Sequence, residues 1–271
     1  MNRIRLWIKQ SRWHRVLAVL VIVYIIQWSL EHAHTWDWWS GGYQFIHEWV
    51  ALGATVPVDF YKVWTPLTYG LIHGDFFHLL LNVVALYFVG DFLKGFWKED
   101  RVIWLLITGV IAGGLIRWAM TPILGDGHLV GASAGLYAIL TMAALTAPNM
   151  PIRVFIMDLP LRTVALIVIG ISVLNLLTND NPGGNLAHLG GVLWAVAVFR
   201  NPHWLPNTLP SWLNTTSRTP KRTRHLRVVR PEPKDLDRRL DEILDKLGRV
   251  GYDGLSAQEK KFLSDYGKKK T

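Results

Sequence analysis

Six mostly apolar segments constrain this chain more than any other feature of its sequence. A helix that crosses a bilayer needs about 20 mostly apolar residues. The segments are 13–30, 76–94, 101–120, 131–148, 161–179 and 185–200. We therefore predict an all-α membrane protein built as a bundle of six transmembrane helices.

Basic residues gather at the two ends of the chain. Residues 1–15 hold five Lys/Arg, and residues 200–271 hold seventeen against nine Asp/Glu. The net charge is +9. Because it is concentrated at the ends of an apolar chain, we predict that the basic ends interact with an anionic membrane surface rather than with nucleic acid. The chain has no Cys, which excludes thiol catalysis and Cys-based metal sites.

The Lys/Arg counts of the connections between segments alternate along the chain, which predicts their orientation. Both termini should be cytoplasmic, and the second, fourth and sixth helices should begin near the outer face. We expect a multi-pass integral protein of a bacterial cytoplasmic (inner) membrane. Nothing in the sequence specifies an oligomeric state.

Three regions are predicted along the chain. Residues 1–200 form the membrane domain, and its long first loop, 31–75, is rich in Trp and Tyr. That loop is either an ordinary extracytoplasmic connection or an interfacial element. Residues 201–233 are predicted to be a Pro-rich basic linker and 234–271 a small cytoplasmic helical hairpin. Its first helix should break at Gly248 and Gly251, and a capping box at Ser256 should open the second. The hairpin either binds anionic lipid or is a solvated tail, and residues 201–271 should be dispensable for chemistry.

The first of three polar clusters opens the second apolar segment. It reads His73-Gly-Asp-Phe-Phe-His78-Leu-Leu-Leu-Asn82. His78 and Asn82 are four residues apart and share a helix face, and both can donate hydrogen bonds. A packing network is the plain alternative. No carboxylate or third His follows at ligand spacing, so we predict no metal and no cofactor.

The other two clusters pair a reactive residue with small neighbours. Gly131-Ala-Ser133-Ala-Gly135-Leu-Tyr137 opens the fourth segment, and Asn185-Leu-Ala-His188-Leu-Gly-Gly191 lies at the start of the sixth. Small residues at four-residue spacing let helices approach closely. Taken singly, each cluster is more readily explained as helix packing.

Together the clusters indicate acyl-transfer chemistry. Three helices would bring a Ser, a His and hydrogen-bond donors to one depth near the outer face. A nucleophile, a base and an oxyanion site are the groups that peptide-bond cleavage needs. No intramembrane Asp or Glu is placed to complete a triad, so a dyad of Ser133 and His188 is predicted.

Over about residues 60–200 these motifs resemble the rhomboid intramembrane serine proteases. The resemblance implies a rhomboid-like six-helix bundle that cleaves single-span membrane proteins near the outer face. It implies Ser133 as nucleophile and His188 as base, with His78, Asn82 and the Ser133 N–H around the oxyanion. Supporting residues would be Gly131, Tyr137, His73 and Gly191, with Tyr137 stacked on the His188 ring.

Two positions depart from the family pattern. Ala134 stands where a Gly usually follows the nucleophile, and Thr65 follows Trp64 where an Arg is common. Neither departure removes a catalytic group, so an active protease is predicted. The runner-up is an inactive rhomboid-like protein that binds membrane clients, and the presence of both Ser133 and His188 disfavours it. A six-helix transporter is disfavoured, because the polar residues cluster at one depth instead of along the midplane.

Overall fold

Long apolar helices dominate the computed structural model, which describes residues 11–32, 42–53, 61–125, 127–154, 156–210 and 233–268. The chain divides into two compact units, Met1–Asn214 and Thr215–Thr271. The helices of the first unit are α1 (Arg12–Glu31), α2 (Gly42–Trp49), α3 (Thr65–Thr68), α4 (Phe76–Leu93), α5 (Glu99–Ala119), α6 (Thr121–Leu124), α7 (Ser133–Thr146), α8 (Leu161–Leu177) and α9 (Pro182–Arg200). Short 3₁₀ turns cover Tyr69–Leu71 and Pro202–Trp204.

Three of the described helices, α1, α4 and α5, are long and apolar enough to cross a membrane. Helices α7 and α8 are apolar but shorter. The apolar helices point to an integral membrane protein, and the count of six spans stays a prediction.

The helices that carry the polar clusters begin at well-defined residues. Asp75 caps α4, where its carboxylate accepts a 2.9 Å hydrogen bond from the His78 N–H. Asn181 caps α9 and accepts a 3.1 Å bond from the Gly184 N–H, followed by Pro182 in the first turn. Such caps satisfy helix-terminal N–H groups and fix where each helix starts.

Helix α7 is the most enclosed helix of the first unit and packs against α4, α5 and α9. Its residues Ala138, Ile139, Met142 and Ala143 have no exposed surface. This central position surrounds the Ser-containing end of α7 with the helices that carry the other two clusters.

Contacts between aromatic and basic side chains stabilise the first loop. The rings of Trp49 and Trp64 are stacked with centroids 6.2 Å apart, and the Trp64 indole N–H donates to the Trp49 carbonyl. The buried Lys62 ammonium donates to the Glu48 carbonyl at 2.6 Å and lies 5.4 Å from the Trp49 ring centre. Lys62 thus provides a cationic anchor in a loop that lacks the usual Arg. The aromatic residues Trp36, Trp38 and Trp39 lie outside the described residues.

A short β-hairpin departs from the predicted all-α class. Strands β1 (Pro151–Val154) and β2 (Met157–Pro160) pair antiparallel between α7 and α8. The flanking Pro residues cannot continue a helix, and extended backbone is the conformation left to them. A bidentate ion pair joins Arg153 and Asp158 across the hairpin at 2.7–2.8 Å. The connection between the fourth and fifth predicted segments therefore has its own regular structure.

The predicted linker begins later than residue 201. Leu205 and Leu209 are buried in the main hydrophobic core. The Asp100 carboxylate, at the start of α5, accepts a 3.0 Å hydrogen bond from the Leu209 N–H. Prolines gave this stretch the composition of a linker, but its two leucines and one main-chain contact hold it on the first unit.

Truncation should reveal this difference. A chain ended after Arg200 loses both leucines and the Asp100 partner, so we expect its melting temperature to fall by about 5 °C or more. A chain ended after Asn214 keeps these contacts and should melt like the full protein. Thermal unfolding in detergent measures both, and equal melting temperatures for the two truncations would contradict the packing described.

The second unit contains α10 (Pro233–Val250), a 3₁₀ turn (Tyr252–Gly254) and α11 (Ala257–Lys268). Gly248 lies inside α10 rather than breaking it, and the turn comes at Gly251, whose φ is +73°. The capping box predicted at Ser256 is present: Glu259 N–H donates to Ser256 Oγ, and Ser256 N–H donates to the Glu259 carboxylate.

Candidate active site

Ser133 and His188 meet through a direct hydrogen bond. Ser133 is the first residue of α7, and His188 lies in the second turn of α9. The distance from Ser133 Oγ to His188 Nε2 is 2.8 Å, and both residues are half-buried. A hydroxyl paired with a neutral imidazole nitrogen is the arrangement that activates Ser as a nucleophile.

Small residues on α9 and α5 allow this contact. A Cβ built on Gly191 would fall well within 3.0 Å of the Ala134 carbonyl oxygen, so only Gly fits there. On α5, a Cβ on Gly113 would lie 2.6 Å from the Ala134 methyl group and 2.6 Å from the Ala187 carbonyl oxygen of α9. The unusual Ala134 is therefore accommodated by a glycine on the facing helix.

The start of α7 is shaped to receive negative charge. The residue before it, Ala132, has no capping side chain, so the N–H groups of the first turn are left for another acceptor. Gly131 has a φ of +112°, and its N–H donates to the Tyr69 carbonyl at 2.9 Å. A Cβ on Gly131 would lie 2.7 Å from Nε2 of His78, so this glycine lets the His78 ring approach the start of α7.

Asn82 and His78 lie on the face of α4 predicted from their spacing. Asn82 is 3% exposed, and its amide donates to the His78 carbonyl at 2.9 Å. That bond uses one of two amide hydrogens and leaves one available for a substrate oxygen. Among the described residues, nothing donates to the buried Asn82 side-chain oxygen.

His73 supports the His78 ring from outside the helix. Its main chain is held by Gln27 of α1 through two hydrogen bonds of 2.7 and 3.0 Å. Its ring meets that of His78 edge to face, with centroids 5.1 Å apart. Burial, with the nearby His78 charge, lowers the pKa of His73 to about 4, so its ring is neutral at physiological pH.

Tyr137 and Ser172 complete the surroundings of His188. The Tyr137 and His188 rings are stacked, 4.2 Å apart at 8°. Ser172 of α8 lies 3.1 Å from His188 Nδ1 and 2.8 Å from the Tyr137 hydroxyl. Sequence reasoning missed Ser172. The available signal was a hydroxyl in the middle of an apolar helix, at a position that belongs to no motif.

No group of three or more His, Cys, Asp or Glu side chains that could hold a metal occurs within the described ranges. The residues brought together are instead a Ser, a His and neutral donors. Their arrangement suits proton transfer and stabilisation of an oxyanion.

Comparison with known proteins gives two findings. A family model described as the Rhomboid domain matches residues 61–200. Rhomboid-related protein 1 of Caenorhabditis elegans is 34% identical over 79 residues, which cover 29% of this chain and 21% of that protein. The similarity thus spans about a fifth of the relative's length.

Proposed function

Because the chain belongs to the rhomboid family, we propose that it is a serine-type intramembrane endopeptidase that uses a Ser133–His188 dyad. The observation that carries the proposal is the 2.8 Å hydrogen bond between Ser133 Oγ and His188 Nε2. It joins the two residues that the sequence motifs assign as nucleophile and base.

The reaction follows from this pair. Ser133 Oγ attacks the substrate carbonyl carbon while His188 Nε2 accepts the hydroxyl proton. The resulting oxyanion is bound by the Ser133 N–H with His78 and Asn82. His188 then returns the proton to the leaving amine, which leaves an acyl-enzyme. Water, deprotonated by His188, hydrolyses that ester and restores Ser133.

The proposed substrates are single-span membrane proteins. In the proposed topology six helices cross the bilayer, both termini are cytoplasmic, and the dyad lies near the outer face of a bacterial inner membrane. Peptide bonds inside a helix are shielded by their own hydrogen bonds, so cleavage should require small or helix-breaking residues near the outer end. Residues 233–268 belong to a cytoplasmic extension outside the catalytic unit.

The second candidate is an inactive rhomboid-like protein that binds membrane clients, for which Ala134 is the motivating departure. Labelling the full chain with a fluorophosphonate distinguishes the two without a known substrate. We expect labelling of the wild type and none of Ser133→Ala. A folded wild type that takes up no label would favour the inactive reading.

Asn82→Ala is expected to lower kcat by about 10²–10³-fold, because a lost oxyanion donor costs that much transition-state stabilisation. KM and the melting temperature should change little. Asn201→Ala is the matched control, since the Asn201 amide donates to the carbonyl four residues back as the Asn82 amide does. Steady-state kinetics on a model transmembrane substrate measure the effect.

His78→Ala should reduce kcat at least as much, with some rate left because the Ser133 N–H remains. If Asn82→Ala instead lowers the melting temperature and keeps kcat within about threefold, the residue has a packing role, worth only about 0.6–2 kcal/mol in a membrane.

A further inference from the structure

Ser172 joins three helices at the far side of the candidate base. Its side chain lies on α8, is 1% exposed, and contacts His188 of α9 and Tyr137 of α7. No carboxylate contacts His188 among the described residues, so Ser172 occupies the place that an acid holds in a triad.

The hydrogen bonds of this group can run in two directions, and one of them suits His188 as the base. Either hydroxyl can donate in the 2.8 Å contact between Ser172 and Tyr137. When Tyr137 donates to the Val168 carbonyl, 3.4 Å away, it accepts from Ser172, and the single hydroxyl hydrogen of Ser172 points to Tyr137. The Ser172 oxygen is left to accept, and the group opposite it is His188 Nδ1, 3.1 Å away.

This direction selects the productive form of His188. A neutral imidazole carries one N–H, and an N–H at Nδ1 leaves Nε2 free to accept the Ser133 proton. If these hydrogen bonds ran in the opposite direction, the single N–H of His188 would lie on Nε2. That nitrogen could then not accept the Ser133 proton. The bond from Nδ1 also strengthens when His188 becomes an imidazolium, because charged donors form stronger hydrogen bonds.

We infer that Ser172 is a positioning residue that holds His188 in the Nδ1–H tautomer through a chain running from His188 to Ser172, Tyr137 and the Val168 carbonyl. The expected effect of Ser172 on kcat rests on the proposed protease function. The tautomer itself can be observed without turnover.

Ser172→Ala in the full-length protein tests this. We expect kcat to fall about tenfold, as for loss of one hydrogen bond to the base, with KM within about twofold and an unchanged melting temperature. Thr146→Ala is the control. Within the described ranges its half-buried hydroxyl bonds only the Met142 carbonyl, and it lies at the end of α7 opposite Ser133. Tyr137→Phe keeps the stacked ring, removes the acceptor of Ser172, and should give a smaller loss of the same kind.

Histidine ¹⁵N NMR measures the tautomer of His188 directly. A purely structural role of Ser172 would leave that tautomer unchanged. The full-length protein with ¹⁵N-histidine is studied in micelles at mildly alkaline pH, and the His188 signal is assigned by its loss in His188→Ala. We expect the Nδ1–H tautomer in the wild type and a mixture of tautomers in Ser172→Ala.

The outcomes separate this inference from the proposed function. A wild type with the hydrogen on Nε2, or a Ser172→Ala variant with unchanged tautomer and kcat, overturns the role of Ser172. A wild type that holds Nδ1–H through Ser172 but neither cleaves substrate nor takes up fluorophosphonate supports the positioning role and refutes the protease function.

Discussion

Ser133→Ala and His188→Ala are each expected to lower kcat for cleavage of a single-span test substrate by about 10⁴-fold or more. Without the hydroxyl there is no nucleophile, and without the imidazole nothing accepts its proton. Both side chains are half-buried, and the hydrogen bonds that either change removes are worth about 1 kcal/mol each, so insertion and folding should survive.

The matched controls are Ser29→Ala and His203→Ala. Ser29 is an exposed serine whose hydroxyl bonds the Ile25 carbonyl of its own helix, and His203 is exposed in the turn after α9. Both should cleave at the wild-type rate. The double variant Ser133→Ala/His188→Ala should lose little more than either single one, because the pair acts as a unit. Turnover near the wild-type rate in either single variant would refute the dyad.

Gly191→Ala is expected to affect rate and stability together, with about a 100-fold loss of kcat and a lower melting temperature. The added methyl group cannot coexist with the Ala134 carbonyl, so α9 must move away from α7. That movement stretches the Ser133–His188 bond, and a misplacement of about 1 Å between reacting groups costs on the order of 10²-fold. Overpacking itself costs about 1–3 kcal/mol of stability.

Gly170→Ala is the matched control for this change. Gly170 lies inside α8, and a Cβ built on it meets no atom within 4 Å. It should keep the wild-type rate and melt at the same temperature or higher, since Ala favours helix by about 1 kcal/mol over Gly. If Gly191→Ala retains kcat within about threefold, the contact of α9 with α7 does not set the geometry of the dyad.

The contact between Ser133 and His188 was predicted only when the three polar clusters were considered together. Small residues at helical spacing beside both side chains permit the close helix approach that a Ser–His hydrogen bond needs. The helix bounds followed from the same apolar pattern to within a few residues, as α1 at Arg12–Glu31 shows against a predicted 13–30.

What the sequence missed depends on contacts between distant residues. Nothing near Ser172 in the chain indicates that Tyr137 and His188 lie beside it, since each is on another helix. Leu205 and Leu209 occur among prolines, and their burial depends on packing in the main hydrophobic core against helices distant in sequence. The β-hairpin at 151–160 is too short to have a periodic pattern.

A Cβ on Gly113 would meet two neighbours at 2.6 Å, the Ala134 methyl group and the Ala187 carbonyl oxygen of α9. Replacing Ala134 by glycine would remove the first contact and leave the second, which is main chain. Position 113 is therefore limited to glycine whichever small residue follows the nucleophile, because α5, α7 and α9 meet there. The alanine at 134 thus occupies space beside a glycine that the contact of α5 with α9 already requires, and relatives with either alanine or glycine at 134 should keep glycine at 113.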